Sequence, residues 1–439
     1  MLRQPYNDRF ARSTLLPSSP KVNPQPGRAA FIFVLIMIGF DFLSFGIIAP
    51  VMPDMIRSFE GGDFARASAI TGYFGFVWAA MQFICSPLLG AWSDRFGRRP
   101  VILISCFGLA FDYVIWALAP NLGWLWVGRV ISGITTSNIS TAFAYVTDVT
   151  PPEKRAAAFG KISAVFGISF ILGPAIGGWL GNTNLRFPFW AAATLSFANA
   201  LYGFFILPES LPPERRASSA WHMANPLGSM KLLRSNRELA GLSVVVTLYY
   251  LAHNSLPSIW ALYTEYRYAW NRRDVGLSLA VVGASAAIVS GILVGPFVKR
   301  FGERRSLLSG LMFGVLGFFA FGAATRGWMI LASVPLIALW GIAAPATQSL
   351  MSQRVDASSQ GKLQGAINSL RAITGMAGPL LFTQVFAVAI SPRVSIHLPG
   401  APYYLAAILL GSSLLLADLV TRNTSVAERI TASPTTSPD

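Results

Sequence analysis

Twelve mostly apolar stretches of about twenty residues or more follow one another along this 439-residue chain, separated by short polar loops. They lie at 29–52, 69–92, 100–119, 122–147, 156–181, 187–208, 239–265, 275–298, 306–325, 328–353, 363–391 and 401–421. A helix of about 20 apolar residues crosses roughly 30 Å of hydrocarbon. In lipid the backbone polar groups must bond within the chain, so such stretches fold as helices. Soluble core helices are rarely apolar all round over such lengths. The predicted fold is therefore an all-α integral membrane protein. The first stretch carries Asp41 and lacks a small-residue cleavage pattern after it, so it reads as a retained span and not a signal peptide.

Charge is scarce and unevenly placed. Asp, Glu, Lys and Arg make up 12% of the chain, against about 25% in an ordinary soluble domain. That composition excludes a disordered chain, a disulfide scaffold and a typical cytosolic enzyme. The net charge of +15 by itself suggests nucleic acid, a lipid surface or the loops of a membrane protein. Sorting the basic residues by loop separates these readings. Twenty-four of the 34 Lys and Arg lie on the side that holds both termini, eight lie opposite, and Arg129 and Arg371 lie within spans. The positive-inside rule then predicts a multi-pass protein of the cell (inner) membrane with both termini in the cytoplasm. Cys85 and Cys106 sit in spans, where they read as packing residues.

Two signals recur at one spacing. Gly90-Ala-Trp-Ser-Asp94-Arg95-Phe96-Gly97-Arg98-Arg99 follows span two, and Gly295-Pro-Phe-Val-Lys299-Arg300-Phe301-Gly302-Glu303-Arg304 follows span eight, 205 residues later. Gly173-Pro174 in span five and Gly378-Pro379 in span eleven share that offset. A duplicated six-helix unit explains both, and parallel repeats of this kind build transporters with a site between the halves. The expected organisation is a tail over 1–28, a six-helix bundle over 29–208, a linker over 209–238, a second bundle over 239–421 and a tail over 422–439. Within the linker, Asn225 to Arg237 is a basic amphipathic stretch, read either as an interfacial helix or as a solvated linker.

In the first repeat, small Gly90 is expected to let helix ends approach, and Gly97 to permit a tight turn. Asp94, Arg95, Arg98 and Arg99 are the candidate gate, able to pair in one conformation and separate in another. Ser169-x(3)-Gly173-Pro174-x(2)-Gly177-Gly178 reads as a close-packing, bendable seam, with Gly378 and Pro379 as its counterpart.

A charge at the bilayer centre costs at least about 2.5–3.5 kcal/mol, so each one asks for a reason. Asp41 lies about 18 Å into span one and Asp112 about 20 Å into span three, at 1.5 Å per residue. Arg129 enters span four from the other side to nearly the height of Asp112, which suggests a buried pair, either structural or part of a proton relay. Asp41 has no partner at the level of sequence and is a candidate protonatable group. His253 is the other candidate, read equally as a packing residue. Arg371 should face a cavity, holding either an anionic substrate group or Asp41. Asn138, Tyr249, Tyr250, Trp260 and Gln348 are candidate cavity lining. Asp418 lies near a helix end and carries little weight.

No phosphate-binding loop, zinc spacing or His-bearing catalytic motif occurs, and the histidines at 222, 253 and 397 are scattered. No enzymatic activity, cofactor or metal is expected.

These residues resemble a known family. Residues 90–100 are similar to motif A of the major facilitator superfamily, Arg129-x(3)-Gly133 to its motif B, and 169–178 to the motif C of drug:proton antiporters. More narrowly, the chain resembles the tetracycline-resistance branch through Phe40-Asp41 to Pro53, Asp112-Tyr113, Gly128 to Thr135, Tyr263-Thr-Glu-Tyr-Arg267, Pro345-Ala-Thr-Gln348, Gly361-Lys-Leu-Gln-Gly365 and Gly378-Pro-Leu-Leu-Phe382. The likeness spans nearly everything except the two tails. It implies two pseudo-symmetric six-helix bundles and proton-coupled export by alternating access. It would make Asp41, Asp112 and Arg129 the functional intramembrane charges, and Asp94 with Arg98 the gate. The chain departs from tetracycline exporters at Ala286 and Gly314, where they have a His and an acid, and it gains Arg371. Those missing groups serve proton and metal-chelate chemistry, which argues against tetracycline itself as substrate.

The expected function is proton-driven export of a small amphiphilic or drug-like molecule. Rival readings are an importer or facilitator of a metabolite or organic anion, and a membrane sensor or scaffold that transports nothing. Expected partners are the small-molecule substrate, protons and membrane lipids, not nucleic acid, with the monomer as the working unit.

Overall fold

The computed structural model describes residues 28–136, 138–216, 229–395 and 397–431. Its first half holds α1 (Arg28–Ile48), α2 (Met52–Phe59), α3 (Phe64–Phe96), α4 (Arg98–Leu118), α5 (Leu122–Thr135), α6 (Asn138–Val149), α7 (Arg155–Thr183) and α8 (Phe187–Ile206). The second holds α9 (Arg237–His253), α10 (Ser255–Tyr268), α11 (Arg272–Ile288), α12 (Val294–Ala323), α13 (Gly327–Ala338), α14 (Ala343–Ser352), α15 (Gln360–Ala389) and α16 (Ala401–Thr431).

Ten helical stretches among the described residues are long and apolar enough to cross a membrane. One of these, Arg272–Ala323, is 52 residues long and contains two spans that meet at Gly302. The expected fourth span is divided into α5 and α6, each too short to cross alone. Among the described residues all twelve apolar stretches are therefore helical in the main. Asp63, Asn121, Asn236 and Asn271 start α3, α5, α9 and α11 by accepting backbone N–H groups that the first turn leaves unpaired.

Several boundaries differ from expectation. Span one ends at Ile48, and the chain turns into the short α2 with Pro53 in its first turn. Span seven is broken at Asn254 between α9 and α10, and a π-helical turn over Val289–Leu293 interrupts span eight. Within the linker, 217–228 lie outside the described residues. In its described remainder Ser229–Arg234 forms a 3-10 stretch, and the Asn236 cap restarts the chain as α9. α16 continues past the expected end at 421 to Thr431.

The buried apolar side chains gather into one cluster from residues 233–417 and two from residues 30–207. Trp260, Tyr263, Phe318, Phe321 and Tyr403 make edge and stacked ring contacts at the centre of the first. Outward faces are also apolar: Phe205 is 76% and Leu415 69% exposed. Water would penalise such a surface, whereas lipid does not.

Two seams join the halves. α7 packs along α11, and α3 along α15. Gly178 and Gly276 bring the first pair together backbone to backbone: a Cβ on Gly178 would stand 2.4 Å from the Arg272 carbonyl oxygen, and one on Gly276 2.2 Å from that of Pro174. At the second seam Ser68 Oγ donates to the Thr383 carbonyl (2.9 Å) and Gln384 Nε2 to that of Ala69 (3.2 Å).

Candidate functional site: a cavity between the halves

Both seams lie toward the end of the molecule that holds Asp54 and Arg272, so the helices diverge toward the end that holds Asp94 and Lys362. Between them is a cavity of about 1260 Å³, larger than the roughly 300–1,000 Å³ of typical small-molecule sites. Its walls come from both halves: Phe45 of α1, Trp78 and Phe83 of α3, Arg129 of α5, Trp260 of α10, and Asn368 and Arg371 of α15. The rings of Phe45 and Trp78 stack at 6.3 Å.

The cavity is capped at one end by an ionic cluster that sequence reasoning missed. Asp54, almost fully buried, pairs with Arg57 (2.5 Å) in its own helix and with Arg272 (2.6 Å) across the seam. Arg57 also reaches Glu265 (3.5 Å) and lies 4.2 Å over the Phe64 ring. Arg272 Nη1 donates to the Gly181 carbonyl, tying α11 to α7. Asp54, Arg57 and Arg272 lie between the expected spans, where sequence gives no reason to single them out, whereas Glu265 falls in the Tyr263–Arg267 stretch of the family likeness.

The opposite end carries the motif-A residues. Gly97 has φ +106° and lets the chain turn from α3 into α4. Arg98 pairs with Asp94 (2.5 Å) and Asp148 (3.2 Å) and donates to Ser93 Oγ (3.0 Å). Glu209 caps α4, accepting from the backbone N–H groups of Arg98 (2.8 Å) and Arg99 (3.2 Å). Arg95 lies over Phe96, and Arg99 bonds the Phe204 carbonyl. Asp148 and Glu209 were not anticipated, although the repeat spacing points to Asp148. The equivalent of Arg98 is Glu303 and that of Asp148 is Gln353, and these two are also joined, at 2.7 Å. Gly302, with φ +75°, repeats the turn of Gly97. The expected close approach at Gly90 is not made: a Cβ there meets nothing within 4 Å, because Gly90 borders the open cavity.

The candidate hinge residues divide between the seams, where Pro174, Gly178 and Pro379 lie, and contacts inside each half, where Gly173, Gly177 and Gly378 lie. Gly173 abuts Gly46, Gly177 abuts Ile47, and Pro174 and Gly178 face Gly276. Gly378 abuts Asn254, and Pro379 packs on Gly75.

The intramembrane charges are arranged differently from expectation. Asp41 is not on the cavity wall. Its Oδ1 accepts from Asn199 Nδ2 of α8 (2.9 Å), which also donates to the Met37 carbonyl (3.1 Å). Asn199 Oδ1 is buried with no hydrogen-bond partner. Asp112 and Arg129 are neighbours but form no direct ion pair. The guanidinium lies 5.3 Å over the Trp116 ring and contacts Met52 Sδ, and Asp112 Oδ1 sits against Gly128 without a hydrogen-bond partner. His253 stands off the cavity with its ring 5.6 Å from Trp340.

Of the lining candidates, Arg371 and Trp260 reach the cavity. Trp260 is held by its Nε1–H bond to Ser278 Oγ (2.9 Å). Tyr249 is buried against Tyr250 and Trp340, and Gln348 bonds Gln364 (3.2 Å), both away from the wall. Asn138 lies outside the described side chains. Arg371 is placed over the Tyr250 ring at 5.1 Å.

Comparison with known proteins agrees with this architecture. The family model described as Major Facilitator Superfamily matches residues 34–379. The class C tetracycline resistance protein of Escherichia coli is 38% identical over 365 residues, covering 82% of this chain and 91% of that protein. The class D protein of Salmonella ordonez is 36% identical, covering 81% and 89%. Among solved structures, the human organic anion transporter MFSD10 (TETRAN) shares the fold, with a TM-score of 0.65 and 24% identity, covering 90% of this chain and 100% of that one. A family match over most of the length, relatives above 30% identity and a cavity between two helical halves lead to one conclusion: the chain is a multi-pass membrane transporter and belongs to the major facilitator superfamily.

Proposed function

We propose that this chain exports a small amphiphilic molecule in exchange for protons, by alternating access of one central cavity. The observation that carries the reading is the cavity itself, sealed by Asp54, Arg57, Glu265 and Arg272 at one end and flanked by diverging helices at the other, in a chain similar to tetracycline resistance proteins. The excess of basic residues beside the diverging end supports a cytoplasmic location for that end and for both termini. Substrate then enters from the cytoplasmic side, and the segments 29–208 and 239–421 rock as bodies about the α7–α11 and α3–α15 seams.

Protons act through Asp41. As a carboxylate it accepts from the Asn199 amide nitrogen; once protonated it can donate to the Asn199 amide oxygen after the amide turns over, and that oxygen has no other partner. One side chain thus serves both protonation states, which a proton carrier needs. Asp112 and Arg129 hold charge at the depth where α4 and α5 pack, and the Asp94–Arg98–Asp148 group holds the cytoplasmic ends of α3, α4 and α6 together. A membrane potential of 100 mV adds about 2.3 kcal/mol per charge moved, enough for a gradient of a few tens-fold.

Purified protein in proteoliposomes tests this reading. An imposed proton gradient should drive substrate toward the proton-rich side, and Asp41→Asn should bind substrate but lose the driven flux. Accumulation down the proton gradient would identify an importer instead.

A further inference from the structure

We infer that the cavity takes an amphiphilic organic anion, with its acid group at Arg371 and its aromatic body against Phe45 and Trp78. The charged side chains on the cavity wall are Arg129, Lys362 and Arg371; among the described residues no Asp or Glu lines it. Arg129 has Asp112 close by, with the Asp112 carboxylate against the adjoining Gly128. Arg371 and Lys362 have no such neighbour: among the described residues neither is in an ion pair with a carboxylate. The acid group beneath the cavity floor, Asp54, is already engaged by Arg57 and Arg272.

Arg371 stands eleven residues along α15 from Gln360, about 16 Å into the helix. A guanidinium at that depth requires either water or an anion. The contact with the Tyr250 ring, 5.1 Å from the guanidinium carbon, uses no carboxylate, which leaves the N–H groups to form two parallel bonds to a carboxylate or sulfonate. Asn368, one helical turn away on the same wall, offers a further donor. Lys362, exposed near the start of α15, places a second positive charge on the entry route and favours anions as they arrive. A cationic ligand would meet the same charges as repulsion, and a neutral one would leave Arg371 without a counter-charge. The inference deepens the export reading, on which it rests only for the direction of travel.

Three probes of one shape decide it: 1-naphthoate, its neutral amide and 1-naphthylmethylammonium, titrated calorimetrically into the purified full-length protein. The carboxylate should bind about tenfold more tightly than the amide, or better, and the ammonium more weakly than both. Arg371→Gln should cut carboxylate affinity about tenfold and leave the amide within about twofold, while Arg371→Lys restores part of the loss. Equal binding of the three probes, preference for the ammonium, or an Arg371→Gln variant that keeps its carboxylate affinity would overturn the inference. The ranking on unaltered protein stands even if the variant does not fold. Arg371-dependent carboxylate binding without proton-driven flux would sink the export reading and leave the anion site intact. Proton-driven flux of the ammonium alone would do the reverse.

Discussion

Arg272 Nε lies 2.6 Å from Asp54 Oδ2, and this bond joins the helix after the first span to the helix that opens the eighth. Asp54 is 2% exposed, so its charge depends on Arg272 and Arg57 for compensation. Removing one partner of a buried, charge-assisted bond costs about 1–3 kcal/mol. In Arg272→Ala that cost falls on the closed end, and the population shifts toward molecules open there. A cysteine placed by Thr71→Cys, in a background without Cys85 and Cys106, reports the shift. Its labelling by a membrane-impermeant maleimide from the Asp54 side should quicken several-fold, and an unchanged rate would show that the cluster does not hold the seam.

Gly178→Ala should be far more harmful than Gly90→Ala, although both glycines belong to repeated family motifs. The added methyl at Gly178 meets the Arg272 carbonyl and Gly276 at sub-contact distance, whereas at Gly90 it meets open space. Overpacking a backbone contact costs about 1–3 kcal/mol. Thermal unfolding in detergent should show a clear loss for the first and almost none for the second.

Asn199→Ala should weaken proton coupling without removing the carboxylate it serves. Asp41 would lose the Asn199 donor, at a cost near one hydrogen bond to a charged group, about tenfold in an equilibrium. Proton-driven flux in proteoliposomes should fall by that order while ligand affinity, measured at fixed pH, stays level. A parallel fall in affinity would place Asn199 in the substrate site instead.

Glu209→Gln should lower stability by about 1 kcal/mol, because its carboxylate faces the positive end of α4. The amide keeps one acceptor and loses the charge. A drop in melting temperature with transport per folded molecule unchanged is the expected pair of results.

Much of this architecture was legible in the residues, for physical reasons. Lipid demands long apolar helices, so the spans stand out, and the 205-residue offset exposes the duplication. Gly97 and Gly302 could be read as turns because the family pattern places a glycine where φ is positive. What escaped depended on distance in sequence. Asn199 is an unremarked amide in span six until the fold brings it to Asp41, 158 residues away. The Asp54–Arg272 bond bridges 218 residues between two loops that look like ordinary polar connections. Asp112 and Arg129 matched in depth, but depth alone does not reveal that the Arg129 guanidinium lies over the Trp116 ring instead of on the carboxylate.

The paired positions near the cytoplasmic ends have one further consequence. Arg98–Asp148 and Glu303–Gln353 occupy matching places in the two repeats, yet the first is an ion pair and the second joins a carboxylate to an amide. Dissolved salt weakens attraction between opposite charges and barely touches a bond to a neutral amide. Ionic strength therefore offers a handle on the first of these two contacts and not on the second. The duplicated latch gives the carrier two fastenings that respond to different conditions in the surrounding water.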